Sequence, residues 1–416
     1  MTAAVLSIGT ELTRGELVNS NAAWLAEQLT ALGFEVLEHL TVDDDTPRIV
    51  EAVKQLAQRH QVVVSTGGLG PTTDDLTTEA VAQALGVAIA RDPATVERIQ
   101  KLAAWYGRVL PPNNMKQADF PVGASILANE EGTAPGFAVE HLGSLLFFMP
   151  GVPREMKHIF STRIVPRIAE LAERNSHQIH FRTFGTTESA LGQALDGVED
   201  RFPGVTIGYR ASFPEVELKV LAQADSPRAA VQLAERAAEE VKARVAHVIY
   251  GDREDTYPGA VGRTLRNKGL TLAVAESCTG GMLGSLLTSV PGSSEYLLFD
   301  AVTYSNASKT NVLGVSEETL RGFGAVSEET AMAMVRGVLR ASDADLGVSI
   351  TGVAGPGGGT DDKPVGTVWI GIGSRAGAVF AKRFLFRGDR ERIRVMSTYT
   401  ALRLVQELAN DTERKQ

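Results

Sequence analysis

The stretch Gln61-Val62-Val63-Val64-Ser65-Thr66-Gly67-Gly68-Leu69-Gly70-Pro71-Thr72-Thr73-Asp74-Asp75-Leu76-Thr77 decides the fold class. Its β-branched beginning reads as a strand buried on both faces. Gly67 and Gly68 end that strand, and two carboxylates follow before a helix. Upstream, residues 3–8 form a short apolar strand. Residues 19–32 carry Trp24, Leu25, Leu29 and Leu32 at helical spacing, and Gly33 stops that helix. Residues 34–42 are strand-like. The next helix has Asp45 or Thr46 as its cap and Pro47 in its first turn. Strand, helix, strand, helix, strand predicts a parallel sheet with right-handed crossovers. A late strand at 145–149 leads through Pro150-Gly151-Val152-Pro153 into a further helix.

Downstream the pattern changes. Strand (180–184), helix (188–195), strand (205–209), strand (215–221), helix (227–244) and strand (247–250) predict a small split-βαβ unit. A polar linker at 251–255 precedes a second α/β pattern, with strands at 270–275, 298–304, 346–350, 367–372 and 379–386. The expected architecture is α/β: two parallel-sheet domains, 1–170 and 253–416, joined by a small α+β domain at 171–252.

Composition narrows the function classes. Lys and Arg number 41 against 50 Asp and Glu, a formal charge of −9, which disfavours an extended nucleic-acid surface. The single cysteine, Cys278, excludes an internal disulfide and a thiolate-rich zinc site. No apolar run approaches the ~20 residues needed to cross a bilayer, and the amino terminus lacks a basic leader segment, so a cytoplasmic enzyme without membrane attachment is expected.

Ala273-Val274-Ala275-Glu276-Ser277-Cys278-Thr279-Gly280-Gly281 runs from a strand toward a helix. A serine at that junction is either a helix cap or a nucleophile beside backbone N–H groups that hold an oxyanion. None of the seven histidines, at 39, 60, 141, 158, 177, 180 and 247, lies in the last domain. Lysine replaces histidine as base when burial lowers its pKa. Tyr304-Ser305-Asn306-Ala307-Ser308-Lys309 supplies a lysine and a phenol just past the next strand, at the same sheet edge as Ser277. Lys309 is otherwise a solvated surface charge. Cys278 is the rival nucleophile or a small core residue. The glycine-rich run from Thr351 and Gly352 through Gly355 and Gly357 suits a phosphate or ribose, or is a surface loop; it has no Walker lysine. Arg390, opening the last helix, suits a bidentate phosphate contact or a surface ion pair.

The blocks AESCTGG, YSNASK, GAVSEETA, TGVAGPGGGT with KPVGTV, and GDRERIR, in that order over residues 258–405, resemble the nicotinamide-nucleotide amidase (PncC-like) domain of the CinA family. The resemblance implies conversion of nicotinamide mononucleotide to nicotinate mononucleotide and ammonia without a cofactor. It carries the nucleophile to Ser277 and its partners to Lys309 and Tyr304. Substrate contacts fall on Cys278, Thr279, Gly280, Gly281, Thr351, Gly352, Gly355, Gly357 and Arg390, the last for the phosphate.

In the first domain, glycine N–H groups suit a phosphate or a pterin tail, and Asp74 and Asp75 suit a hard divalent cation or a helix start. Gly9-Thr10-Glu11, Asn19-Ser20-Asn21 and Asp44 fall at strand ends on the same expected edge. IGTEL, NSN, STGGLGPTTDD, EEGTAPGF and MPGVPREM resemble the amino-terminal CinA domain, related to the molybdopterin-binding fold of the MoaB/Mog group. That resemblance implies hydrolysis of ADP-ribose to AMP and ribose 5-phosphate with a divalent metal (Mg, Mn or Co). The implied nucleotide contacts are Gly9, Thr10, Glu11, Asn21, Gly67, Gly68, Gly70 and Asp75, and the implied metal ligands Asp74, Asp75 and Asp44; Asn114, Lys116 and Gln117 are further nucleotide candidates. The middle segment fits the family's KH-like connecting domain, yet shows no GxxG loop or aromatic platform for RNA. A spacer or dimer element is expected there, and a homodimer on the family's pattern. The competing readings are a non-catalytic competence or recombination partner, and a pterin-binding module.

Overall fold

The computed structural model describes residues 1–105, 111–171 and 175–412. They form two compact units, residues 1–178 with 221–235, and residues 179–220 with 236–416.

The first unit is built on β1 (Thr2–Ile8), β2 (Glu35–Val42), β3 (Val62–Thr66), β4 (Ile89–Arg91), β5 (Asp119–Pro121), β6 (Ser125–Leu127), β7 (Gly136–His141) and β8 (Ser144–Met149). Its six-stranded sheet runs β2-β1-β3-β8-β7-β6, and β4 pairs with β5 apart from it. Strands β2, β1, β3 and β8 are parallel, whereas β7 and β6 join antiparallel. β3 is buried along its whole length, because helices pack on both faces. One face buries Ala4, Leu6 and Val63 against Ile49, Val53 and Leu56 of the helix Thr46–Arg59. The other buries Val5, Val62 and Val64 against Leu25 and Leu29 of the helix Ser20–Ala31. Asn19 and Asp45 cap these helices, each accepting a backbone N–H three residues on.

β9 (Asn175–Phe184), β10 (Val205–Ser212), β11 (Glu215–Ala224) and β12 (Ile249–Gly251) make the small sheet. Its order is β10-β11-β9-β12, which the split-βαβ pattern dictates.

The last sheet contains β13 (Leu272–Glu276), β14 (Leu297–Val302), β15 (Leu346–Gly352), β16 (Thr367–Ser374) and β17 (Val379–Leu385), in the order β14-β13-β15-β16-β17. β14, β13 and β15 are parallel; β16 and β17 are antiparallel. Both large sheets are therefore mixed: a parallel core is extended on one side by consecutive strands joined without a helix. Alternation of strands with helices marks the parallel core, while hairpin-linked edge strands lack that mark. In each sheet the parallel strands end along one edge, where open α/β sheets bind ligands.

Candidate active site

At the carboxyl edge of the last sheet, β13 delivers Glu276 and then Ser277. The following helix does not begin at Ser277; it starts at Met282, with Gly281 as its N-cap at φ 90°. Glu276 accounts for the delay. Its fully buried carboxylate accepts the N–H groups of Gly281 at 3.1 Å and Gly284 at 2.8 Å, so it caps the helix from within the strand. The intervening residues form a turn, and Gly280 and Gly281 take the left-handed conformation it requires.

Ser277 is 9% exposed, and Lys309 Nζ donates to its Oγ at 3.0 Å. Lys309 rises from the first turn of the helix Asn306–Leu313, which a Ser305–Ser308 capping box fixes. Its ammonium also meets the carbonyls of Thr303 at 2.7 Å and Tyr304 at 3.5 Å. The residue is 1% exposed, and burial pushes its pKa below the ordinary lysine value, with Cys278 acting the other way. A lysine reads as a surface charge until its carbonyl partners are seen.

Cys278 points into the core formed with Leu283, Leu287 and Ile393. Burial pushes its thiol up to about 12, and Glu276 adds to the rise against the pull of its own N–H, Lys309 and Arg390. A protonated, core-facing thiol is no rival nucleophile. The side chains of Cys278 and Thr279 are both buried, and the backbone of each offers a donor: among the described residues neither N–H donates to another residue, while Gly280 N–H is used by the Ser277 carbonyl at 3.1 Å. Arg394 clamps the Thr279 carbonyl through Nε at 3.2 Å and a terminal nitrogen at 2.7 Å.

Tyr304 differs from expectation in its direction. Its side chain is 62% exposed, and its hydroxyl accepts from Arg390 at 3.2 Å, whereas Lys309 meets only its backbone carbonyl. The phenol therefore belongs with Arg390, outside the Ser277–Lys309 pair. Arg390 also donates to the Gly355 carbonyl at 2.7 Å, which ties the glycine-rich run to the same edge. Thr351 is structural, its hydroxyl donating to the Ala325 carbonyl at 2.7 Å. Gly352 is required because a Cβ would lie 2.7 Å from Val368; Gly357 faces open space.

The first unit holds a second candidate site, a cavity of about 640 Å³ at the ends of β1, β3 and β8. Gly9, Glu11, Asn21, Asp44, Gly67, Gly68, Gly70, Asp74 and Asp75 line it. Thr10 sits behind, its N–H and hydroxyl both donating to Asp44 at 2.8 Å. Asn21, in the first turn of the helix Ser20–Ala31, donates to the Gly151 carbonyl at 2.7 Å, just past the end of β8. Gly67, at φ 112°, approaches the Ile8 carbonyl so closely that a Cβ would lie 1.9 Å from it. Asp75 accepts from Thr72 N–H at 2.8 Å and Thr72 Oγ1 at 2.6 Å. Thr72 also donates to Asp74, which holds that carboxyl below the usual aspartate range.

Of the lining residues, Gln117 is a nucleotide candidate from sequence and Asn19 falls on the expected edge, whereas Glu155 is one that the sequence does not point to. Glu155 accepts from Asn129 Nδ2 at 2.5 Å, and Gly132 leaves it room, since a Cβ there would lie 2.2 Å from its carboxyl. Glu155 sits in the MPGVPREM block, but only the fold brings Asn129 and Gly132 to it.

Glu11, Asp44, Asp74, Asp75 and Glu155 thus line the cavity; among the described residues no lysine or arginine lines it, and Lys116 lies just beyond, its Nζ 3.4 Å from the Thr72 carbonyl. Among the described residues, no three His, Cys, Asp or Glu side chains converge as a metal cage. Asp44, Asp74 and Asp75 therefore do not make the shared ligand set expected from sequence. Their hard oxygen donors do fit a cation such as Mg²⁺, which takes one or two carboxylates and completes its shell with phosphate and water. No helix of the described residues is long and apolar enough to cross a membrane.

Family models match in three consecutive blocks. The "Probable molybdopterin binding domain" covers residues 4–170, the "Damage-inducible protein CinA KH domain" residues 178–251, and the "CinA C-terminal domain" residues 254–409. A CinA-like protein of Geotalea uraniireducens is 40% identical over 404 residues, 97% of this chain and 96% of the relative. A CinA-like protein of Geobacter sulfurreducens is 42% identical over 407 residues, 97% of this chain and 98% of the relative. The solved competence/damage inducible protein CihA of Agrobacterium tumefaciens is 38% identical, covering 38% of this chain and 97% of its own, with a TM-score of 0.36. With the three blocks matched in order and near-complete relatives at 40% identity or more, this chain belongs to the CinA family.

Proposed function

We propose that the carboxy-terminal domain is a serine amidohydrolase that deamidates nicotinamide mononucleotide to nicotinate mononucleotide. The observation that carries the reading is the buried pair of Ser277 Oγ and Lys309 Nζ, 3.0 Å apart. Neutral Lys309 takes the Ser277 proton as Oγ attacks the carboxamide carbon, and the N–H groups of Cys278 and Thr279 hold the oxyanion, worth about 3–4 kcal/mol per well-placed donor. The C–N bond breaks and the proton passes to the departing ammonia. Water then hydrolyses the ester and regenerates Ser277. Arg390 holds the substrate phosphate, with Tyr304 orienting its guanidinium. Hydroxylamine tests the covalent step. The mechanism requires nicotinamide mononucleotide to yield hydroxamate in proportion to hydroxylamine at constant ammonia release; turnover without hydroxamate contradicts an acyl-enzyme.

The amino-terminal domain is, in the same proposal, a metal-dependent ADP-ribose hydrolase giving AMP and ribose 5-phosphate. Its support is the charge of the cavity: five lining carboxylates, which outnumber the nearby Lys116, repel a diphosphate unless cations accompany it. Asp74 and Asp75, which share Thr72 as a donor, would hold the cation, which supplies charge neutralisation and Lewis-acid polarisation of phosphorus when bound. The N–H groups of Gly68 and Gly70 line the diphosphate's path, while that of Gly67 is held by the Met149 carbonyl at 3.0 Å. Product analysis with and without Mg²⁺ tests it. A cavity that binds a pterin and turns over no ADP-ribose at any metal concentration would favour the non-catalytic reading.

A further inference from the structure

The small α+β domain has no role in either proposed reaction, yet it grips the helix that carries Arg390. That helix, Arg390–Asp411, has two working faces. Arg390 and Arg394, one turn apart, reach the Gly355 and Thr279 carbonyls beside Ser277. Arg392, Tyr399 and Arg403, at intervals of seven and four, lie along another face. There the guanidinium of Arg392 lies 4.0 Å from the ring centroid of Phe213, at the tip of the β10–β11 hairpin. Tyr399 packs at 5.4 Å on Phe184, which ends β9, and Arg403 reaches Gly185, where a Cβ would lie 3.0 Å from it. Phe184 and Tyr250 of the small sheet are buried in the same core as Tyr257, Ile393 and Ala401. Tyr250 stacks on Tyr257 at 4.5 Å and 17°.

We propose that the small domain is a splint for the carboxy-terminal site, and that Phe213 is a positioning residue for substrate-phosphate binding, acting through Arg392 on the helix start that carries Arg390. The inference rests on the amidase reading for its kinetic consequence and on geometry alone for its mechanical one. Phe213 is 44% exposed, so its loss leaves the folded core intact. An exposed cation–π contact predicts an effect of roughly two- to five-fold.

The test compares full-length wild type, Phe213→Ala and Phe213→Trp. Hydrogen exchange at residues 389–394 should be about two- to five-fold faster in Phe213→Ala and restored in Phe213→Trp. The KM for nicotinamide mononucleotide should rise by a similar factor with kcat unchanged, while nicotinamide riboside, which lacks the phosphate, should show no change. Unaltered exchange in Phe213→Ala overturns the splint whatever the substrate. A loss confined to kcat, or shared equally by the riboside, overturns the phosphate-positioning role. If wild type itself releases no ammonia, the amidase reading fails, and the exchange result still decides the splint.

Discussion

Replacing Lys309 by methionine separates catalysis from architecture. The substitution keeps an unbranched apolar stem as far as the Cε position and removes the ammonium. Two effects on stability then oppose. The Thr303 carbonyl, 2.7 Å from Nζ, loses its donor, which costs about 1–3 kcal/mol if no water replaces it. Against that, a group burial holds below its ordinary pKa no longer has to be desolvated, and apolar replacements for buried charges are often neutral or stabilising. Net stability should shift by no more than about 2 kcal/mol. A domain with the usual ~5–15 kcal/mol of stability stays almost wholly folded after such a loss. Catalysis should suffer far more. A general base contributes about 10²–10⁴-fold, or roughly 3–5 kcal/mol of transition-state stabilisation. The assay is kcat/KM for ammonia release beside thermal unfolding of the same preparation. Lys309→Met should lose at least about 100-fold in rate and unfold within a few degrees of wild type. A folded variant retaining more than a tenth of wild-type activity would refute the assignment of Lys309 as base.

The other predictions follow from the same geometry. Because burial lowers the Lys309 pKa, its neutral form accumulates at lower pH than for a free lysine; kcat/KM should therefore rise with pH and level off with a midpoint below 10.5, and a limb centred at or above that value contradicts the desolvated base. Glu276→Gln should place an amide donor against the Gly281 or Gly284 N–H, costing about 1–3 kcal/mol of stability and lowering kcat for the amide substrate; unchanged kcat would remove Glu276 from the support of the nucleophile's turn. Asp75→Ala, or chelation of divalent metal, should abolish ADP-ribose hydrolysis and leave ammonia release intact; loss of both activities on chelation alone would contradict a metal-free amidase.

How much of this was legible before the structure depends on what each feature needs. The parallel cores were legible because buried β-branched runs alternate with capped amphipathic helices, as at Val62–Thr66 and around Asn19 and Asp45. The rule that parallel strands end on one edge then placed Ser277 and Lys309 on that edge. Their 3.0 Å contact required the Ser305 capping box to set the helix that presents Lys309, which a residue list does not reveal. The direction of Tyr304 was not legible, since nothing local distinguishes a phenol turned toward Lys309 from one turned toward an arginine 86 positions later. Nothing in the sequence marks Glu276 as a helix cap, because its hold on the Gly281 and Gly284 N–H groups exists only once the strand bends into the turn. The support of Glu155 by Asn129 likewise joins residues 26 apart that share no periodic pattern.

The central claim is that Ser277 is the nucleophile that deamidates nicotinamide mononucleotide. Ammonia release by wild type, Ser277→Ala and Cys278→Ala, measured in the presence of a chelator, tests it most directly. Wild type and Cys278→Ala should turn over and Ser277→Ala should not. Persistent turnover by Ser277→Ala, or none by a folded wild type, would contradict it.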